Sequence, residues 1–235
     1  EYTNFYLTTN DSLYISTGKS LLITDSNVNK VVNPDKDLYM NFKSMTDLAL
    51  FKGDVYFSAD YRVFSPTFKS FGQSLFKYDG KSITKVKDVL SGSSFFNRSK
   101  ISNSNYLFFV GFTPETGNEL WRSDGTEAGT VLIKDIREGN KGGINSALEH
   151  AIVFNDVLYF VAESDTSVGE ELWRSDGTEA GTYMVKNIST TTAGFKDSEP
   201  AQFVIYNNQF SQYYDSLYYE STRDSRKELW RQMLG

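Results

Sequence analysis

The chain has 235 residues and a net charge of −6, with 15 Tyr, 18 Phe, 4 Pro and no Cys. The missing cysteines exclude disulfides, thiolate metal sites and cysteine nucleophiles. An acidic balance with no sustained Lys or Arg run speaks against phosphate-backbone binding, and no apolar run approaches the roughly 20 residues of a membrane span.

The opening residues, Glu1-Tyr2-Thr3-Asn4, are neither basic nor apolar. No signal peptide is expected there, and the chain reads as a mature fragment or an excised domain. Phe5-Tyr6-Leu7 predicts a first strand, Leu13-Tyr14-Ile15 a second, and residues 21–26, LLITDS, a third. The same order then returns. Val55-Tyr56-Phe57 precedes LFKYDG at 75–80, and Leu107-Phe108-Phe109 precedes ELWRSDGTEAGT at 119–130. Leu158-Tyr159-Phe160 precedes an identical ELWRSDGTEAGT at 171–182, and Leu217-Tyr218-Tyr219 precedes ELWR at 228–231.

Each unit reads as four antiparallel strands. A short apolar run is followed by a turn such as Lys52-Gly53-Asp54 or Asn155-Asp156. The Leu-Tyr-Phe strand and the Glu-Leu-Trp-Arg strand come next, and the Asp-Gly pair signals a hairpin into a β-branched last strand. Units of this length and strand count are the signature of propeller blades, whose two apolar faces are covered by their neighbours. The expectation is an all-β fold, a single β-propeller domain of about five blades over residues 1–235. The blades lie at 1–33, 47–90, 98–137, 147–189 and 200–235, with no fourth strand visible in the last.

ELWRSDGTEAGT resembles the ELWxxDGT repeat of bacterial surface and secreted proteins, regarded as propeller-forming. The resemblance implies an exported, extracellular or cell-surface protein with a binding or adhesive role, and it brings no catalytic residues. The repeated Trp121, Arg122, Asp124, Gly125, Trp173, Arg174, Asp176, Gly177, Trp230 and Arg231 are expected to be structural. The tryptophans are assigned to interblade core, and the Asp residues to turns rather than calcium. The arginines, with Lys77, are expected to form blade-to-blade or strand-to-strand ion pairs, with the equally recurrent Glu119, Glu171 and Glu228 as partners. An anionic ligand is the alternative.

The single histidine, His150, has no activated serine motif near it, and no glycine-rich phosphate loop is present. No metal and no cofactor are expected, nor is enzymatic activity. Function is sought in what differs between units: segments 33–46, 60–74, 189–200 and 207–214, expected to be irregular. Tyr61, Arg62, Phe64, Phe68, Lys69, Phe71, Phe210, Tyr213 and Tyr214 are the candidate ligand-binding residues, since exposed aromatics beside basic or amide groups suit a binding surface.

The leading expectation is a non-catalytic extracellular adhesion module that engages a protein or a glycan on a cell surface, without nucleic-acid binding or membrane insertion. One alternative is a scaffold or assembly domain of a larger surface protein. The other is a glycan-cleaving enzyme using carboxylates in the loops between second and third strands, namely Asp60, Glu115, Glu163 and Asp165.

Overall fold

A computed structural model describes residues 5–9, 11–17, 20–25, 29–32, 40–64, 68–89, 100–144, 148, 150–165, 168–186, 200–206, 209–214 and 228–231. They form five antiparallel sheets in chain order. The first holds β1 (Phe5–Thr8), β2 (Ser12–Ser16), β3 (Leu21–Asp25) and β4 (Asn29–Val32). The second holds β5 (Met40–Phe51), β6 (Asp54–Phe64), β7 (Phe68–Tyr78) and β8 (Ile83–Asp88). The third holds β9 (Ile101–Ser102), β10 (Leu107–Thr113), β11 (Gly117–Ser123) and β12 (Val131–Lys134). The fourth holds β13 (Ile152–Phe154), β14 (Val157–Glu163), β15 (Glu170–Ser175) and β16 (Tyr183–Lys186). The fifth holds β17 (Pro200–Tyr206), β18 (Gln209–Tyr214) and β19 (Glu228–Arg231).

Every sheet is a meander, and in the first four the leading strands pack on one another from sheet to sheet, β1 on β5, β5 on β9 and β9 on β13. The protein is a β-propeller, as the repeat implies.

The register repeats as faithfully as the sequence. Leu13 faces Thr24, Val55 faces Tyr78, Leu107 faces Ser123 and Leu158 faces Ser175. A bulge falls at the same place in three blades, between Leu75 and Phe76, Leu120 and Trp121, and Leu172 and Trp173. The turns Lys52-Gly53 and Asn155-Asp156 have positive φ at both residues, the type I′ geometry that matches strand twist.

Apolar clusters sit between blades. Trp121 packs with Tyr56 and Leu75 of the second blade and Phe109 of its own. Trp173 packs with Phe108, Leu120 and Ile133 of the third. Both fill interblade core, as expected. Trp121 needs a small residue diagonally across the ladder, and Gly111 supplies it: a Cβ there would lie 2.6 Å from the indole. Ala59 and Ala162 hold the matching positions in blades two and four, both buried.

Four expectations are corrected. The Asp-Gly pair does not close a two-residue hairpin. β11 ends at Ser123 and β12 begins at Val131, so residues 124–130 form a longer structured turn. The segment 60–74 is not irregular, because β6 and β7 run on as a paired hairpin with Tyr61 opposite Phe71 and Phe64 opposite Phe68. Its alternating polar and aromatic residues are simply more strand. Likewise β5 begins at Met40, inside the segment 33–46, and β18 occupies residues 209–214.

In the fifth blade the second strand is β18, with Gln212 opposite Trp230. Phe210 therefore matches Leu158, 52 residues earlier, the spacing of the identical repeats. Leu217-Tyr218-Tyr219 does not supply that strand and lies outside the described residues, as do 33–39 and 189–199.

Candidate functional site

Arg122, Arg174, Lys77 and Glu119 each have a partner outside the recurrent Arg–Glu set, contrary to the ion pairs expected between them. Residues three apart on a strand point to opposite faces, so Glu119 and Arg122 cannot meet. Arg122 lies over the Tyr106 ring at 4.2 Å and Arg174 over Tyr183 at 5.2 Å. Lys77 pairs with a carboxylate, Asp54, at 3.6 Å. Glu119 turns inward, fully buried, and its Oε1 accepts the Arg137 backbone N–H at 3.1 Å. Burial pushes its carboxyl up to about 7, against the lowering pull of the Arg137, Ile136 and Gly143 amides, and the charge of Asp135 adds to the rise. The side chains of Glu228, Trp230 and Arg231 lie outside the described residues.

The Asp124 and Asp176 turns are structural. Asp124 Oδ1 accepts from the Thr126 backbone N–H at 2.9 Å and its hydroxyl at 2.7 Å. Thr126 Oγ1 in turn accepts from the Gly129 N–H, and Ser123 and Thr130 share a buried hydroxyl bond of 2.7 Å. Asp176, Thr178, Gly181, Ser175 and Thr182 repeat this network. The Thr126 hydroxyl holds Asp124 below the usual carboxylate range, and Thr178 does the same for Asp176. Gly125 and Gly177, at φ +100° and +92°, lie against Tyr56 and Tyr106 of the preceding blades. A side chain there would meet both backbone strain and a ring.

Sequence reasoning missed a lysine at each last strand. Lys87, Lys134 and Lys186 face Leu75, Leu120 and Leu172. Lys87 Nζ donates to the Thr130 carbonyl at 2.7 Å and Lys134 Nζ to the Thr182 carbonyl at 2.9 Å, each in the next blade. Their recurrence as VKD, IKD and VKN was the available signal.

The candidate ligand residues are not brought together as a loop patch. Tyr61 is buried at the base of the β6–β7 hairpin, its hydroxyl donating to Asp88 and accepting from Lys85 at 2.9 Å. It anchors the hairpin and offers nothing to a ligand. Arg62, Phe64, Lys69, Phe68 and Phe71 lie on the outer half of that hairpin, and Phe210, Tyr213 and Tyr214 on β18. The side chains of these eight lie outside the described residues. His150 is exposed in the turn before β13.

A cleft opens elsewhere, between the connection after β12 and the turn from β14 to β15. Its volume is about 490 Å³, and it is lined by Ile136, Arg137, Glu138, Gly139, Asn140, Lys141, Ser164 and Asp165. Arg137 pairs with Glu163 at 2.8 Å, and the Glu163 N–H donates to the Gly143 carbonyl at 2.7 Å, so the two connections are locked together. Of the four loop carboxylates considered from sequence, Asp165 lines this cleft and Glu163 braces it. Glu115 is exposed in the β10–β11 turn, and Asp60 lies within β6 opposite Gln73. Glu138 was not singled out, because nothing repeats around it. The β6–β7 hairpin joins a second strand to a third, like the β14–β15 turn, so it rises on the same face as the cleft.

Among the described residues no cluster of three His, Cys, Asp or Glu could hold a metal ion. No helix among them is long and apolar enough to cross a membrane.

No protein-family model matches the chain, and no curated protein matches it. Solved structures of similar shape include a puromycin-hydrolyzing peptidase of Mycobacterium tuberculosis, with a TM-score of 0.49 and 12% identity over 90% of this chain. Another is the xyloglucan PUL protein GH43B of Bacteroides ovatus, at 0.40 and 13% over 90%. A third is a family 117 glycoside hydrolase of Zobellia galactanivorans, at 0.38 and 10% over 92% of this chain and 79% of its own length. The chain spans only 35% and 47% of the first two. The comparison names hydrolases, glycoside hydrolases among them, where a non-catalytic adhesion module was expected. That expectation is corrected, and the loop-carboxylate alternative is taken up on the geometry of the cleft itself.

Proposed function

We propose that the chain cleaves glycans, using carboxylates on the propeller face where second strands turn into third strands. The observation that carries this reading is the cleft of about 490 Å³ between blades three and four, lined by Asp165 and Glu138 and braced by the Arg137–Glu163 pair. Glycosidic bond cleavage needs two carboxyl groups at a cleft, one giving a proton to the leaving oxygen and one acting on the sugar or on water. Here one carboxylate comes from each of the two connections. The amide of Asn140 and the hydroxyl of Ser164 supply the neutral hydrogen-bonding groups that sugar hydroxyls require. The β6–β7 hairpin stands on the same face and extends the surface a polysaccharide would lie along. The resemblance of the repeat to ELWxxDGT proteins supports an exported setting, where polysaccharide is at hand.

The test is release of reducing ends from a panel of plant, algal and bacterial polysaccharides. At least one should be cleaved by the wild type. Asp165→Asn and Glu138→Gln should each lower turnover by about 10²–10⁴-fold. Glu115→Gln, outside the cleft, should leave it unchanged. No turnover on any substrate, or full activity in both cleft variants, would sink the reading.

A further inference from the structure

Beneath the cleft-lining connection, the third blade holds two carboxyl groups where its neighbour holds a hydrogen bond. In the second blade Ser74 and Asp88 face each other across β7 and β8, and the Ser74 hydroxyl donates to Asp88 Oδ1 at 2.6 Å. One residue on in each strand, Leu75 faces Lys87 just as Leu120 faces Lys134 in the third blade. Glu119 and Asp135 therefore stand where Ser74 and Asp88 stand. Residues directly opposite on neighbouring strands project from the same face. The donor has been replaced by a second acid.

The consequence is visible in unpaired atoms. Glu119 Oε2 and Asp135 Oδ1 are both buried without a hydrogen-bond partner. Their other oxygens are used, Glu119 Oε1 by the Arg137 N–H and Asp135 Oδ2 by the Gly139 N–H at 3.3 Å. A buried carboxylate oxygen with no donor is costly, and two facing each other as anions repel as well. We propose that Glu119 carries a proton on its free oxygen and faces the Asp135 carboxyl as a buried acid pair under the connection that lines the cleft.

A proton suits this place better than a cation. Hard cations want six to eight oxygens, whereas backbone N–H groups crowd the other side of Glu119. Among the described residues the two nearby cations are engaged elsewhere: the Arg137 guanidinium by Glu163, and Lys134 in the next blade. Burial, with the Asp135 charge adding to it, raises Glu119 to about 7, so its proton leaves near physiological pH. Because the Arg137 N–H rests on Glu119, the cleft-lining residues would feel that loss. Blade four carries Glu171 with Asn187 at the matching sequence position, a natural version of the Asp135→Asn change.

The experiment is a pH titration of side-chain carboxyl carbons by NMR in protein labelled at Glu and Asp, and it needs no glycan. One Glu carboxyl should titrate with a midpoint near 7, and its signal should vanish in Glu119→Gln. In Asp135→Asn the midpoint should fall, because the neighbouring negative charge is removed. The Arg137 amide should shift with the same midpoint in the wild type. Three outcomes would overturn the proposal: a Glu119 midpoint in the ordinary carboxylate range, a midpoint untouched by Asp135→Asn, or a titration abolished by millimolar calcium. Folding of each variant is checked by whether the Trp121 and Trp173 indole resonances are retained. Absence of glycan cleavage would leave this result standing, and the reverse also holds.

Discussion

At the scale of single residues, the eight-residue stretch SDGTEAGT is a closed hydrogen-bonded object, and its invariance between blades three and four follows from that. Its polar and glycine members are engaged: Ser123 with Thr130, Asp124 with Thr126, and Gly129 against the Asp124 carboxylate. A Cβ at Gly129 would run into the Asp124 carboxylate, whose displacement would undo two hydrogen bonds. Gly129→Ala should therefore destabilise the protein by about 1–3 kcal/mol in urea unfolding.

The same turn makes a prediction in pH. Asp124 and Asp176 are held below the usual carboxylate range by their Thr hydroxyls, so the unfolded chain binds their protons first as pH falls. The stabilisation is complete above the unfolded value of about 3.9 and fades as pH drops through the folded values. The melting-temperature advantage of the wild type over the Asp124→Asn, Asp176→Asn double variant should be full at neutral pH and shrink toward about pH 3. Both groups are largely exposed, and the advantage should be a few degrees at most.

At the scale of elements, the blades are fastened by a residue type the motif does not include. Lys134 reaches the Thr182 carbonyl and Lys87 the Thr130 carbonyl, so the last strand of one blade is tied to the structured turn of the next. Replacing Lys134 by Met keeps the stem and removes the donor. The expected cost is about 1–2 kcal/mol, read by denaturant unfolding, because a partly buried carbonyl loses a charged donor. Trp173→Ala, which empties interblade core, should cost more, about 3–5 kcal/mol.

Strand order and the turns Lys52-Gly53 and Asn155-Asp156 were legible in the sequence because each depends on residues adjacent in the chain, whereas the Asp-Gly turn proved longer than a hairpin. Four of the five Leu-Tyr-Phe strands were legible in this way, as were both type I′ turns and the interblade tryptophans. The fifth was missed because an apolar tripeptide, Leu217-Tyr218-Tyr219, outweighed the 52-residue period that points to Phe210. The long β6–β7 hairpin was read as a loop, since aromatics beside lysine suggested a surface when they continue a strand pattern. The cleft was the least legible feature. It depends on two connections from different blades meeting in space, and only Asp165 and Glu163 on one side had been noticed.

At the scale of the whole molecule, what repeats builds the propeller and what does not repeat lines the proposed site. The recurrent Trp, Asp, Gly and Thr residues are turned to neighbouring blades or to their own turns. The connection at 136–141 and the β6–β7 extension share one face, and their sequences do not recur in the other units. The most direct measurement is therefore where a sugar sits. Backbone amide shifts should be followed while oligosaccharides from any cleaved polysaccharide are titrated into the Asp165→Asn variant. The account predicts perturbations concentrated at residues 136–141 and 164–165, continuing onto the β6–β7 hairpin. Perturbations confined to the opposite face, around the Asp124 and Asp176 turns, would contradict it.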